Sequence, residues 1–315
     1  MSYTYIFTPD TNIPNHKKEN YSELSNKMVP IGPFIIRGNK YWVFNPSIIL
    51  DENGSIIVVS RVSLIVNPIC ISDTYNTMFT TKETAAIADS YLIQWNEKDN
   101  EIKLIEEFDQ LSSCYIMCKG QEDPRLFKFR NETWLYFQYR GMIDSHCGHH
   151  LVICKLHDKK TIRLQYDRMT NFEKNWTPFE YNNELYFVYQ FYPHTILLCD
   201  TTSGVCVKKY ESTFDSKNKV GGGAPAALIT WKNNTYYLGV AHYRDPYKNF
   251  FYIFRSEPPF DIISVGEPFS VSTYHIEFCS GLLVDNDTIT VSIGINDCNG
   301  VMVRFSLQEV MDSLV

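Results

Sequence analysis

The hydrophobic pattern of the chain changes character near residue 41. Before it the sequence is polar and dotted with proline (PDTNIPNHKKENYSELSNK), with no sustained period. After it short apolar runs alternate with turn clusters, and stretches with a 3.6-residue period are scarce. Helical spacing returns only in Ser306-Leu307-Gln308-Glu309-Val310-Met311-Asp312-Ser313-Leu314. The pattern predicts an all-β chain with a short C-terminal helix. Residues 1–40 read as an irregular N-terminal extension or arm, and residues 41–315 as one domain.

The apolar runs themselves repeat. FNPSIILDENGSIIVVSR, EDPRLFKFRNETWLYFQYR, WTPFEYNNELYFVYQFYPH, GAPAALITWKNNTYYLGVAHYR and CSGLLVDNDTITVSIGIND share one layout. A polar or small residue precedes Pro (Gly in the last copy). Then come a short strand, an Asn-containing turn, and a second strand that ends in polar residues. The anchors Pro46, Pro124, Pro178, Pro225 and Gly281 are 78, 54, 47 and 56 residues apart. That interval suits one four-stranded blade, with an insertion in the first, so the repeat predicts a five-bladed β-propeller. In each copy the hairpin lies at one end, and the strand start and strand exit lie at the other. Around a common axis the starts and exits converge on one mouth of the central channel. The repeat places Asn45, Arg61, Asp123, Arg125, Arg140, Lys174, Asn175, His194, His242, Arg244 and Asp297 there.

Composition narrows the class. Aromatics make up 15% of the chain, which suits pleated surfaces and also sugar binding. The formal net charge is −7 and there is no long basic run, which argues against a general nucleic-acid binder. No apolar run approaches the roughly 18–20 residues needed to span a bilayer. The start, MSYTYIFTPDT, lacks the basic and apolar regions of a signal peptide. Nine cysteines at irregular spacings read as thiols in a reducing compartment, so a soluble cytoplasmic protein is expected.

At the anchor residues the chain resembles glycoside hydrolase family 130, the β-mannoside phosphorylases and hydrolases, and the related β-1,2-mannosyltransferases. Asn45-Pro46 with a strand ending in Arg61 resembles the first-blade motif of that family. Glu122-Asp123-Pro124-Arg125 resembles its Asp-Pro-Arg motif, and Lys174-Asn175-Trp176-Thr177-Pro178-Phe179 stands where the family has a lysine ahead of blade three. Gly221-Gly222-Gly223-Ala224-Pro225 and Ala241-His242-Tyr243 resemble the Gly-Pro-Pro segment and the Tyr-His-Gly strand end. Ile295-Asn296-Asp297 resembles the final strand. The resemblance implies a five-bladed propeller, Asp123 as the catalytic acid and Asp297 as a substrate-binding aspartate. It departs at Ala226, where the family has a second proline, and at His242-Tyr243-Arg244 in place of Tyr-His-Gly.

The residue types fit that chemistry. A carboxyl held before proline delivers or removes a proton, with Glu122 and Arg125 placed to tune or orient it. Cations bind a phosphate, and Arg61, Lys174, His242 and Arg244 are the candidates, with Arg140 behind them. Asn45 and Asp297 are expected to hold sugar hydroxyls, and Glu122, Arg125, Asn175 and His194 complete the substrate set. The glycines at 221–223 let a ligand approach the backbone. Ser145-His146-Cys147-Gly148-His149-His150, with Cys154 and His157, offers zinc-type ligands but runs straight into a strand. A histidine-rich loop near the channel is therefore favoured over a metal site, and the Cys114/Cys118 pair, with no histidine close by in sequence, is a weaker metal candidate still.

The expected activity is inverting transfer of a hexosyl unit, mannosyl by the resemblance, without metal or cofactor. The donor would be a sugar 1-phosphate or a nucleotide sugar such as GDP-mannose, and the acceptor a glycan or oligosaccharide. The competing readings are a β-mannoside hydrolase, with Asp297 or Glu277 as second carboxylate, and a non-catalytic glycan-binding propeller. The sequence leaves the oligomeric state open.

Overall fold

The computed structural model describes residues 27–32, 34–36, 39–63, 91–96, 98, 101–105, 111, 120–143, 146–158, 160–170, 173–214, 219–244, 247–272, 276–296 and 299–314. These residues form five antiparallel sheets, the five blades of the propeller. Blade one contains Asn39–Leu50, Ile56–Ser63, Tyr91–Asn96 and Glu101–Ile105, with Phe34–Ile36 added beside its first strand. Blade two contains Gly120–Phe129, Glu132–Ile143, His146–Lys155 and Ile162–Arg163. Blade three contains Thr177–Tyr181, Glu184–Phe191, His194–Cys199 and Cys206–Ser212. In blade four the inner strand is broken into Val220–Gly222 and Ala227–Trp231, and both pieces pair with Asn234–Arg244. Tyr247–Arg255 and Ile262–Val265 follow.

The fifth blade joins the two ends of the chain. Glu277–Asp285, Thr288–Ile295 and Asn299–Ser306 are completed by Met28–Ile31, which pairs antiparallel with the last of them. The stretch expected as an extension therefore contributes, from Met28, an outer strand that closes the ring, and Phe34–Ile36 pairs with blade one. The part of that stretch before residue 27 lies outside the described residues. Lys27 adds an ion pair to Glu309 at 2.5 Å. Glu309 also completes a capping box with Ser306 at the start of the terminal helix Leu307–Asp312.

Two features of the sequence explain why the blades form. The hairpins of blades two, three and four turn on Arg130-Asn131, Asn182-Asn183 and Lys232-Asn233, where both central residues have positive φ, between 47° and 64°. A two-residue hairpin with positive φ at both centres matches the right-handed twist of its strands, and Asn tolerates that backbone without the freedom of Gly. The apolar residues on the two faces of each blade then fill the wedges between neighbours. Five buried clusters result, one for each wedge around the ring. The wedge between blades three and four is aromatic, with Phe179 and Tyr237 in ring contact with each other and with both Phe254 and Phe260.

Hydrogen bonds stitch the inner strands across blades. Ser280 Oγ donates to the Pro46 carbonyl at 2.8 Å, and Leu126 N donates to Ser47 Oγ at 2.8 Å. Ala226 N donates to the Pro178 carbonyl at 3.0 Å. The proline anchors of the repeat thus lie where adjacent blades meet.

Candidate active site

The site starts from a matched pair of bulges. In blade one the register slips between Phe44 and Ser47, and in blade two between Glu122 and Arg125. Each bulge holds one residue before proline at positive φ, Asn45 at 45° and Asp123 at 51°. Such a backbone costs on the order of 1–3 kcal/mol for a residue with a side chain, and it persists where its surroundings hold it. The bulges turn the two side chains toward each other. Asn45 Nδ2 donates to Asp123 Oδ1 at 2.6 Å. Oδ2 of Asp123, a half-buried residue, has no hydrogen-bond partner among the described residues.

Glu122 is held by two guanidiniums from different blades. Arg61 Nη2 lies 3.1 Å from Oε1 and Arg140 Nε lies 3.2 Å from Oε2. The carboxylate is buried, whereas the Arg140 side chain is 41% exposed and so still faces solvent at the mouth. His149 pairs opposite Arg140, and its Nδ1 is 2.7 Å from Gln138 Nε2. Burial lowers the His149 pKa first, and Arg140 adds to the effect. Neither His149 nor Gln138 was expected in this cluster. The signal that places His149 is the strand register: the histidine run expected as a loop is the strand His146–Lys155. Extension of the ladder back to Ile143↔His146 makes it so.

Arg125 departs from its expected substrate role. Its Nε donates to the Gly223 carbonyl at 2.6 Å, Nη1 to the Asp123 carbonyl at 2.9 Å, and Nη2 to Asn175 Oδ1 at 3.0 Å. The guanidinium lies 5.1 Å from the ring centres of both Tyr136 and Phe278, and the residue is only 1% exposed. It acts as a buried strut linking blades two, three, four and five. Asn175, itself at φ 65°, gives its side-chain oxygen to that strut. Gly223, whose carbonyl the strut meets, is itself packed tightly between blades, since a Cβ there would come within 2.7 Å of the carbonyl oxygens of Cys279 and Val240.

His194 also departs from expectation. It is fully buried, between Phe191 and Phe254, and neither ring nitrogen has a hydrogen-bond partner among the described residues. Burial pushes its pKa down to about 4. The blade's third strand begins at His194, so the residue turns into the aromatic wedge instead of toward the channel. His242 is buried on the blade-four strand end, stacked on Tyr247 at 4.7 Å and 7° and edge-on to Phe278. Its pKa is pushed down to about 3, by burial first and then by Arg244, Arg125 and Lys174. The imidazole is therefore neutral at physiological pH. Lys174 and Arg244 are exposed near it. Asp297 lies outside the described residues, as do Cys114 and Cys118.

Glu277, the other carboxylate considered, is buried and committed. It accepts from Val271 N at 2.8 Å and from Ser272 N and Oγ at 2.6 Å each. Among the described residues the mouth therefore carries Arg61, Arg140, Lys174 and Arg244 against Glu122 and Asp123. A separate cavity of about 740 Å³ lies at the hairpin end of blades one and two. Its Glu132 and Glu101 are paired with Lys155 and Lys103, and it contains none of the mouth residues. The cysteines differ from expectation too. Cys199 and Cys206 face each other across a hairpin with Cα atoms 4.0 Å apart and are disulfide-bonded, and Cys147 is also in a disulfide. Register, not spacing in sequence, brings Cys199 and Cys206 together.

No protein-family model matches the chain. In sequence it is 27% identical over 115 residues to β-mannosyltransferase 7 of Candida albicans. That match spans 33% of this chain and 18% of the relative. In structure it is similar to a β-1,2-mannobiose phosphorylase from Listeria innocua in complex with β-1,2-mannobiose. The TM-score is 0.58 at 15% identity, covering 95% of each chain. It is also similar to a mannose phosphorylase from Leishmania mexicana in complex with a phosphate ion, with TM-score 0.52, 11% identity and 87% of each chain covered. A third similar structure comes from work on family 130 mannoside phosphorylases and hydrolases that target β-1,2-mannosidic linkages, with TM-score 0.56, 12% identity and 96% coverage. At these identities the likeness establishes the five-bladed fold.

Proposed function

We propose that this protein transfers a mannosyl unit, with inversion, between a phosphate-bearing donor and a hydroxyl of a glycan acceptor. The observation that carries this reading is Asp123, fixed at one oxygen by Asn45, with the other oxygen unpartnered and cations outnumbering carboxylates in the mouth among the described residues. The mannosyl assignment draws on the similarity to a β-mannosyltransferase and to mannoside and mannose phosphorylases.

In the synthetic direction the acceptor hydroxyl gives its proton to the Asp123 carboxylate as its oxygen attacks the anomeric carbon. The bond from that carbon to the phosphate oxygen breaks, and the phosphate or nucleoside diphosphate leaves with the electron pair. In the reverse direction protonated Asp123 gives its proton to the glycosidic oxygen, phosphate attacks from the opposite face, and α-mannose 1-phosphate forms. Arg140, Lys174 and Arg244 are the solvent-facing cations for the phosphate. Arg61 and Arg140 are oriented by Glu122.

Hydrolysis with Glu277 as the base is the weaker reading, because that carboxylate is occupied by Val271 and Ser272. The test is to incubate the protein with mannose 1-phosphate or GDP-mannose and a β-mannosyl oligosaccharide. Extension of the acceptor with either donor is expected. Free mannose as the product of β-mannosides, with no extension from either donor, rejects transfer in favour of hydrolysis.

A further inference from the structure

Asn45 and Asp123 are structural twins. Each is the pre-proline residue of a first strand, each lies in a bulge, and their φ angles differ by only a few degrees. They differ in chemistry: one carries an amide, the other a carboxyl. At 2.6 Å the contact between them requires the amide nitrogen to face Asp123, since two oxygens at that distance would repel. The amide is also confined from behind. A Cβ on Gly294 would fall 2.0 Å from Asn45 Oδ1 and 2.5 Å from its backbone nitrogen, so this strand of blade five leaves room for Asn45 only because the residue is glycine. Asn45 itself is 5% exposed. A buried amide engaged in this way is poorly placed to hold a sugar hydroxyl, the role expected for it from sequence.

We propose that Asn45 is a positioning residue that commits Oδ1 of Asp123 as an acceptor and leaves Oδ2 as the oxygen that gives and takes the proton. This rests on the mannosyl-transfer reading above. A proton on Oδ1 would compete with the amide N–H directed at that oxygen, so the protonated form carries its proton on Oδ2. Oδ2 is the oxygen with no protein partner among the described residues. The twin geometry also provides an isosteric probe. Asp123 itself shows that an aspartate adopts this backbone before proline, so Asn45→Asp fits the bulge. It replaces the neutral amide donor with a second carboxyl, which must share a proton with Asp123 and so removes the fixed division of roles between its two oxygens.

The experiment compares the full chain with Asn45→Asp, Asn45→Ala and Asp123→Asn in phosphorolysis of two β-mannosides. One has an alkyl leaving group, which needs a proton to depart. The other has a 2,4-dinitrophenyl group, which does not. Positioning predicts that both Asn45 variants lose kcat on the alkyl mannoside, on the order of 10–100-fold, a part of the roughly 10²–10⁴-fold that a general acid contributes in full. KM should stay near wild type, and the deficit should largely vanish with the dinitrophenyl leaving group. A raised KM with unchanged kcat would make Asn45 a sugar-binding group and overturn the proposal. An equal loss on both substrates would also overturn it, because a general structural defect ignores the leaving group. Asp123→Asn separates the two levels. If it keeps full activity on the alkyl mannoside, the transfer reading fails and this inference with it. If it loses activity while Asn45→Asp does not, only the positioning role fails.

Discussion

His194 gives the most quantitative handle on how this fold responds to acid. The imidazole lies fully buried in the wedge between blades three and four, with Phe191 and Phe254 about its ring and no hydrogen-bond partner on either nitrogen among the described residues. Burial lowers its pKa from 6.5 to about 4, against a weaker upward pull from Asp261. The folded value is depressed, so the unfolded chain takes up the proton first. The stability associated with neutral His194 is fully present above pH 6.5 and is lost as pH falls toward 4. With these two values the loss at pH 4.5 comes to about 2.5 kcal/mol, and the full shift is worth about 3 kcal/mol. His194→Leu, close in volume and without ring nitrogens, should remove that slope. At pH 7 it should leave stability unchanged or raise it by about 1 kcal/mol, because two unsatisfied buried nitrogens disappear. Urea unfolding followed by tryptophan fluorescence at pH 7 and pH 4.5 measures both effects. If the variant keeps the wild-type pH slope, or loses more than about 2 kcal/mol at pH 7, the ring nitrogens are hydrogen-bonded and the unpartnered imidazole is refuted.

Other parts of the molecule make sharper mutational statements. Glu122→Gln removes the carboxylate that holds Arg61 and Arg140, and misplacing those cations should lower kcat on the order of 100-fold; an unchanged kcat would dismiss the orienting role. Deleting residues 1–31 removes the strand that closes blade five and exposes the partners of buried Ile31, so stability should fall by about 3 kcal/mol, read as a drop in Tm. Cys199→Ser opens the short loop closed by Cys206 and should cost roughly 2–3 kcal/mol under oxidising conditions and nothing under reducing ones. Alkylation followed by mass spectrometry checks the same bond by leaving those two sulfurs unlabelled before reduction.

The propeller was legible from sequence because its repeat is written in turn chemistry. Asn182-Asn183 and Lys232-Asn233 mark hairpins whose backbone few other residues tolerate, and the prolines mark where the inner strands begin. The closing strand was not legible. MVPI is short and interrupted by proline, and its meaning comes only from pairing with Asn299–Ser306 at the other end of the chain. The same limit applies to His194, Cys199 and His149. Strand periodicity says that a residue lies on one face or the other, but not which wedge that face fills or what stands opposite. A bulge or a turn displaced by one residue moves a side chain from channel to core. His194, the first residue of its strand, fell on the side a sequence reading could not assign.

The four residues Glu122-Asp123-Pro124-Arg125 show why a motif is a poor unit of function until its contacts are known. Read as a string they look like three charged groups sharing one task. In the fold they point three ways. Glu122 reaches outward to hold Arg61 and Arg140, Asp123 turns into the mouth against Asn45, and Arg125 runs inward to carbonyls and rings of the other blades. Pro124 and the bulge create that divergence, because a regular strand would send Glu122 and Pro124 to one face and Asp123 to the other. The strut also bears on the chemistry indirectly. Arg125 Nη1 holds the backbone carbonyl of Asp123, so the positive-φ conformation is tied to the buried guanidinium. Arg125→Lys keeps the charge but not the three-way fork, and should therefore lower kcat and stability together. Asn45→Asp, by contrast, should lower kcat with the fold intact. Had Arg125 been a substrate cation, its lysine variant would raise KM and leave Tm alone, and that pair of measurements decides between the two roles.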